Sequence, residues 1–192
     1  MENFQSTITK EEVAALPQEK YSGKITVVST VPMLKKALAA LAGETIVGFD
    51  TETRPSFASG IHHQTALMQL ATSNQCFLLR LNKIGLPDAL ITFLGNPNIK
   101  KIGLSLKDDF HILRRRDRDF KPDGFVDLQN IMQNYGIEEK SLQKSYAIIF
   151  NKKISKSQRL TNWETEKLTA AQQEYAAIDA WACLRIYEKL CK

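Results

Sequence analysis

The order of apolar and polar positions along this chain switches repeatedly between the period of a strand and that of a helix, and the switches delimit its elements. Thr9-Lys10-Glu11-Glu12 has capping-box spacing and the segment halts at Pro17, which predicts a short helix over 9–16. Ile25-Thr26-Val27-Val28 reads as a strand, and Met33 to Leu41 as a helix closed by Gly43. Thr45 to Phe49 is a continuous apolar run, the pattern of a central strand covered on both faces, with Asp50 and Glu52 at its C-terminal end. Ala66 to Ala71 and Cys76 to Leu81, joined by Thr72-Ser73-Asn74-Gln75, predict an antiparallel hairpin. A helix near Pro87 to Leu94, a strand at Lys100 to Leu104 and a helix from Leu106 to about Arg116 complete the alternation of a layered α/β fold. Beyond Asp127, read as a helix N-cap, the pattern turns helical: Leu128 to Tyr135, Ser141 to Phe150, a turn at Trp163 and a long helix from Thr169 to about Leu190, opened by a second capping-box spacing at Thr169-Ala170-Ala171-Gln172.

Composition narrows the class without changing this layout. In 192 residues, 24% charged and 43% hydrophobic, there is no low-complexity tract, no internal repeat and no apolar run of the roughly 18 residues a membrane span needs. The N-terminus lacks the basic-then-apolar order of a signal peptide, and Cys76, Cys183 and Cys191 have no metal-ligand spacing, so reduced cysteines and a cytoplasmic setting are expected. The net charge is +5, and Lys140, Lys144, Lys152, Lys153, Lys156 and Arg159 lie in one acid-free stretch that holds the whole excess. Such a run either tracks a phosphate backbone or is a solvated face. The Arg114 to Arg118 cluster, diluted by Asp117 and Asp119, is a second candidate.

Candidate chemistry resides in acids. Asp50 and Glu52, two apart on a strand, project from one face; their repulsion makes sense if a divalent cation neutralises both, although a polar strand end has the same look. On the helix whose apolar stripe is Leu106, Phe110 and Leu113, Asp109 falls inward and Asp108 outward. Tyr175 and Asp179, four apart, share a face of the last helix. Thr51 and Thr53 flank the strand acids. Met68 and Leu70 read as sheet core, and Gln69 as a buried amide with an internal hydrogen bond.

Together these motifs carry a resemblance. Val47-Gly48-Phe49-Asp50-Thr51-Glu52, Ala66-Leu67-Met68-Gln69-Leu70, Lys101-Ile102-Gly103 followed by Asp109, and Tyr175-Ala176-Ala177-Ile178-Asp179-Ala180 resemble, in order, the motifs of the DEDDy 3′-5′ exonucleases, the Werner-syndrome helicase exonuclease domain more closely than ribonuclease D. The resemblance covers about residues 24–190, leaving 1–23 as a helical appendage to a single catalytic domain. It implies an α/β, ribonuclease H-like mixed sheet of five to six strands flanked by helices. It also implies two divalent cations, Mg²⁺ or Mn²⁺, held by Asp50, Glu52, Asp109 and Asp179, with Tyr175 orienting the attacking water. The implied activity is hydrolysis at the 3′ end of a nucleic acid strand, releasing nucleoside 5′-monophosphates. DNA is placed ahead of RNA, with ribonuclease D-like RNA trimming the alternative. Thr51, Thr53, Lys152, Lys153, Lys156, Arg159 and Trp163 are the candidate contacts to a single-stranded or 3′-end-bearing partner, Thr51 and Thr53 at its terminal nucleotide, and a monomer with no membrane association is expected. Two other readings are a non-catalytic nucleic-acid-binding module, disfavoured by the complete acid set, and a small-nucleotide phosphohydrolase, disfavoured by the long basic segment.

Overall fold

The computed structural model describes residues 3–57, 60 and 62–191. Six strands form one mixed sheet in the order β1-β4-β3-β2-β5-β6: β1 (Lys24–Val28), β2 (Ile46–Thr53), β3 (Thr65–Ala71), β4 (Gln75–Leu79), β5 (Lys100–Gly103) and β6 (Phe125–Asp127). The β2-β3 and β3-β4 pairs are antiparallel, and β1-β4, β2-β5 and β5-β6 are parallel. The expected hairpin and the expected mixed sheet are both present. Eight helices accompany the strands among the described residues: α1 (Lys10–Ala15), α2 (Val31–Leu41), α3 (Leu81–Ile84), α4 (Asp88–Leu94), α5 (Leu106–Arg116), α6 (Leu128–Gln133), α7 (Leu142–Phe150) and α8 (Ala170–Cys191). None is long and apolar enough to cross a membrane.

Strand alternation divides the core between two layers. On β3, every residue of which is buried, Leu67 and Ala71 join the layer under α6, α7 and α8, while Met68 and Leu70 join the layer under α2, α4 and α5. The expectation of Met68 and Leu70 as sheet core is therefore met. Both capping boxes also form. Thr9 N–H donates to Glu12 Oε2 at 2.8 Å and Glu12 N–H to Thr9 Oγ1 at 3.1 Å; Thr169 N–H donates to Gln172 Oε1 at 3.0 Å and Gln172 N–H to Thr169 Oγ1 at 3.1 Å.

Three boundaries differ from the sequence reading. The acids lie inside β2 rather than past its end, because β3 pairs alongside them, Asp50 opposite Gln69 and Glu52 opposite Leu67, and carries the ladder to Thr53. The strand predicted to Leu81 stops at Leu79, and a one-turn helix, α3, starts at Leu81. The third is β6, a three-residue strand whose pattern is too short to distinguish from a loop. Helix α8 packs across β2, β3, β4 and β5. Its closest approach is at Gly48, where a Cβ would collide with the carbonyl oxygen of Ala180; the absent side chain brings the residue next to it, Asp179, down to the strand that carries Asp50.

Candidate active site

Alternation along β2 directs Gly48, Asp50 and Glu52 toward α8, and Val47, Phe49 and Thr51 toward the layer containing α5. Facing α8, carboxylate oxygens of Asp50, Glu52 and Asp179 come within 4.8 Å of one another. Asp109 arrives from α5, on the other side of the strand, and its Oδ1 accepts the Thr51 hydroxyl. Helix phase is as read: Asp109 is half-buried and Asp108 exposed. Tyr175, one turn before Asp179, is buried and lines the same cavity, its phenol favouring the ionised form of the Asp179 carboxyl.

Several buried contacts fix these side chains. The Trp163 ring packs against that of Tyr175, centroids 5.9 Å apart, and restrains the phenol. The buried Arg80 guanidinium donates to the carbonyls of Thr165 and Glu166, tying the segment before α8 to the end of β4. Asp127 does more than the N-cap expected of it. Its carboxylate accepts Gln129 N–H at 3.0 Å for α6, and also Ser105 N–H at 3.1 Å and Leu106 N–H at 3.0 Å, which caps the start of α5. The second role pairs residues 21 and 22 positions apart, so no local pattern announces it.

Crowded acids in a poorly solvated place resist ionisation. Burial pushes the Asp50 carboxyl well above its ordinary range, and the charges of Asp179 and Asp109 push it further. Glu52 is pushed up to about 10 by burial and then by Asp50, Asp179 and Asp109, against the pull of Arg159. Asp179 rises to about 7 through burial, opposed by the Tyr175 hydrogen bond and by Lys156. Asp109 rises to about 6 through burial, opposed by the Thr51 hydrogen bond. Hard oxygen donors converging at this separation, and mutually repelling, fit a hard divalent cation, which would remove the repulsion.

The other candidate residues separate into groups. Lys156 and Arg159 line a cavity of about 280 Å³ together with Ser141, Gln143, Tyr175 and Asp179, beside the acids. Lys152 instead pairs with Glu19 at 3.0 Å, and Lys153 Nζ donates to the Ala14 carbonyl. Thr53 continues β2 past a register shift, opposite Thr65. The hydroxyl of Thr51 is committed to Asp109, so this residue holds an acid in place. Two expectations are corrected. Trp163 is 0% exposed, filling space under α8, and a ring with no accessible surface cannot stack on a base. Gln69 makes no internal hydrogen bond: it is fully buried and neither amide atom has a partner among the described residues, although Asp50 lies opposite it on β2; Leu67, Ala71 and Leu78, its neighbours on β3 and β4, are apolar. Replacing it with Leu removes two stranded polar atoms and is expected to raise unfolding free energy by about 1–3 kcal/mol. A leftward shift of the urea midpoint would show that the amide is satisfied in solution.

A family model described as 3′-5′ exonuclease matches residues 25–192. The Mus musculus bifunctional 3′-5′ exonuclease/ATP-dependent helicase WRN is 35% identical over 151 residues, 76% of this chain and 11% of that protein. An Arabidopsis thaliana 3′-5′ exonuclease is 30% identical over 158 residues, 78% of this chain and 54% of that protein. The chain thus spans about a tenth of the first relative's length and half of the second's. Among solved structures, the Aedes aegypti Nibbler EXO domain superposes with a TM-score of 0.79 at 21% identity, covering 91% of this chain and 89% of its own. Escherichia coli RNase D superposes with a TM-score of 0.78 at 23% identity, covering 87% and 44%. The two superpositions show the ribonuclease H-like arrangement of the sheet and its helices, and the family model, matched over residues 25–192, establishes that the chain belongs to the 3′-5′ exonuclease family.

Proposed function

We propose that this chain is a two-metal-ion 3′-5′ exonuclease that hydrolyses the terminal phosphodiester of a nucleic acid strand and releases nucleoside 5′-monophosphates. The observation that carries the reading is the meeting of Asp50, Glu52 and Asp179 within 4.8 Å, with Tyr175 lining the same cavity as Asp179. In this reading Asp50, Glu52, Asp109 and Asp179 hold two divalent ions, Mg²⁺ or Mn²⁺. Such ions supply an activated water and charge stabilisation at the departing 3′ oxygen. The phenol of Tyr175 orients the water and does not take its proton, since burial and the negative charges of Asp179, Glu52 and Asp50 hold it protonated far above neutral pH. Lys156 and Arg159, which temper the charge of Asp179 and Glu52 respectively, stand where a strand's phosphates would pass.

DNA is kept as the first substrate, in line with the likeness to an exonuclease/helicase. RNA is the second reading, supported by the fold shared with a Trypanosoma brucei RNase D solved in complex with RNA U12, TM-score 0.76. The proposal keeps the cytoplasmic setting, the monomeric state and the single domain expected from the sequence. The test is a 5′-labelled DNA and an RNA oligonucleotide of equal sequence, incubated with Mg²⁺ or Mn²⁺. A ladder shortening from the 3′ end, abolished by chelator, is the expected result for at least one of them. Intact strands in every lane would overturn the reading.

A further inference from the structure

The family match begins at residue 25, yet the segment before it is built into the basic face of the molecule. Glu19 N–H donates to the Lys153 carbonyl at 2.8 Å and Lys153 N–H to the Pro17 carbonyl at 3.0 Å, forming a parallel bridge between Gln18 and Lys153. Glu138 N–H bonds the Ser6 carbonyl at 3.0 Å, and Tyr146 donates its hydroxyl to Glu19 Oε2 at 3.0 Å. Ile8 and Val13 bury themselves against Ala147 of α7. So fastened, α1 is the outer wall of a cavity of about 510 Å³ whose other wall is α7 and the segment after it.

That cavity is strongly cationic. Lys10, Lys144, Lys153, Lys156 and Arg159 line it, and among the described residues only Lys144 of these five is ion-paired, with Glu139 at 2.7 Å. Three acids of the neighbouring segments are occupied elsewhere: Glu12 by its capping box, Glu19 by Lys152 and Glu139 by Lys144. Gln143, Lys156 and Arg159 also line the 280 Å³ cavity that reaches Tyr175 and Asp179, so the two cavities are neighbours that share these side chains. The result is a succession of cationic side chains from the acid cluster to α1, an arrangement suited to a polyanion.

We infer that the N-terminal segment is part of the substrate site. The groove between α1 and α7 takes the phosphate backbone of a single strand on the 5′ side of the terminal nucleotide, with Lys10 as the contact farthest from the acids. The inference rests on the exonuclease reading, which fixes the 3′ end at Asp179. Lys10 is exposed, so Lys10→Glu alters charge at the groove without disturbing packing. Binding of 5′-fluorescent dT₁₂ and dT₄ to the full chain is measured by anisotropy in chelator, where hydrolysis is halted. Charge reversal at Lys10 is expected to weaken dT₁₂ binding about three- to ten-fold, and to reduce the salt slope by about 0.7 on a log-log plot. The loss on dT₄ should be smaller. Lys36→Glu, an equal change of net charge on exposed α2, is the control. Equal losses in the two variants, or an unchanged dT₁₂ affinity in Lys10→Glu, would overturn the inference. Failure of the exonuclease reading shows separately, as an intact 5′-labelled strand in the ladder assay with wild-type protein.

Discussion

Asp50→Asn is expected to lose about three orders of magnitude or more in turnover with Mn²⁺ saturating, while unfolding cooperatively and with undiminished stability in chelator. Asp50 stands between the charges of Asp179 and Asp109 in a site that disfavours ionisation, so its carboxylate is the group whose loss most disturbs cation binding. The same crowding is a cost to the folded chain. Asn keeps the shape and removes one of the repelling acids, so the fold gains what the site loses. Asp108→Ala is the matched control: Asp108 is exposed, one residue from the half-buried Asp109, and its removal should leave turnover within about two-fold. Asp50→Asn is measured by single-turnover kinetics on a labelled oligonucleotide and by urea unfolding. Turnover retained in Asp50→Asn would remove the carboxylate from the reaction, and loss of cooperative unfolding would make it a structural residue.

Much of this site was legible because the signals that place its acids are local. A two-residue period placed Asp50 and Glu52 on one face, and a 3.6-residue period turned Asp109 inward and aligned Tyr175 with Asp179. What the periods do not encode is pairing across the chain. Asp127 reads as a cap for the helix it precedes; that it also caps α5 follows from the parallel pairing of β5 with β6, which sets Gly103 beside Asp127. The basic run between Lys140 and Arg159 reads as one track, but the segment before β1 gives its members different partners. The Glu19 carboxylate and the Ala14 carbonyl engage Lys152 and Lys153, while Lys156 and Arg159 face the acids. Trp163 misled for a different reason: an aromatic in a turn near basic residues has the composition of a stacking platform, and only the packing of α8 shows that its surface is consumed by Tyr175. Gln69 misled because an amide within an apolar strand is ordinarily satisfied, and here its cross-strand neighbour is Asp50 on one side and Leu78 on the other.

Stability of the metal-free protein is expected to fall as pH rises from about 5 to 8.5, against the trend set by its surface carboxylates. The sign follows from which state holds more protons. Burial, with repulsion from neighbouring acids, raises the native pKa of Asp50 and that of Glu52 to about 10, and burial raises that of Asp179 to about 7, so above the ordinary carboxylate range the folded chain keeps protons that the unfolded chain has released. Their contribution is fully present below that range and is lost as pH climbs through the native values, at about 1.4 kcal/mol per pH unit for each extra proton bound. Glu19 and Glu139 work in the opposite sense. Held below their ordinary value by bonds to Lys152 and Lys144 respectively, they lose stability only on acidification, outside this window. Binding of Mn²⁺ needs the acids ionised, so it expels the retained protons and favours the folded state most strongly at the high-pH end. Urea midpoints at pH 5.5, 7 and 8.5 should therefore descend in chelator and level out with Mn²⁺. Calorimetric titration at pH 7 in two buffers of different ionisation enthalpy should register release of about one proton or more. Midpoints that rise with pH in chelator, or a titration heat independent of buffer, would mean that the acids are already ionised and that the cluster is open to water without its cations.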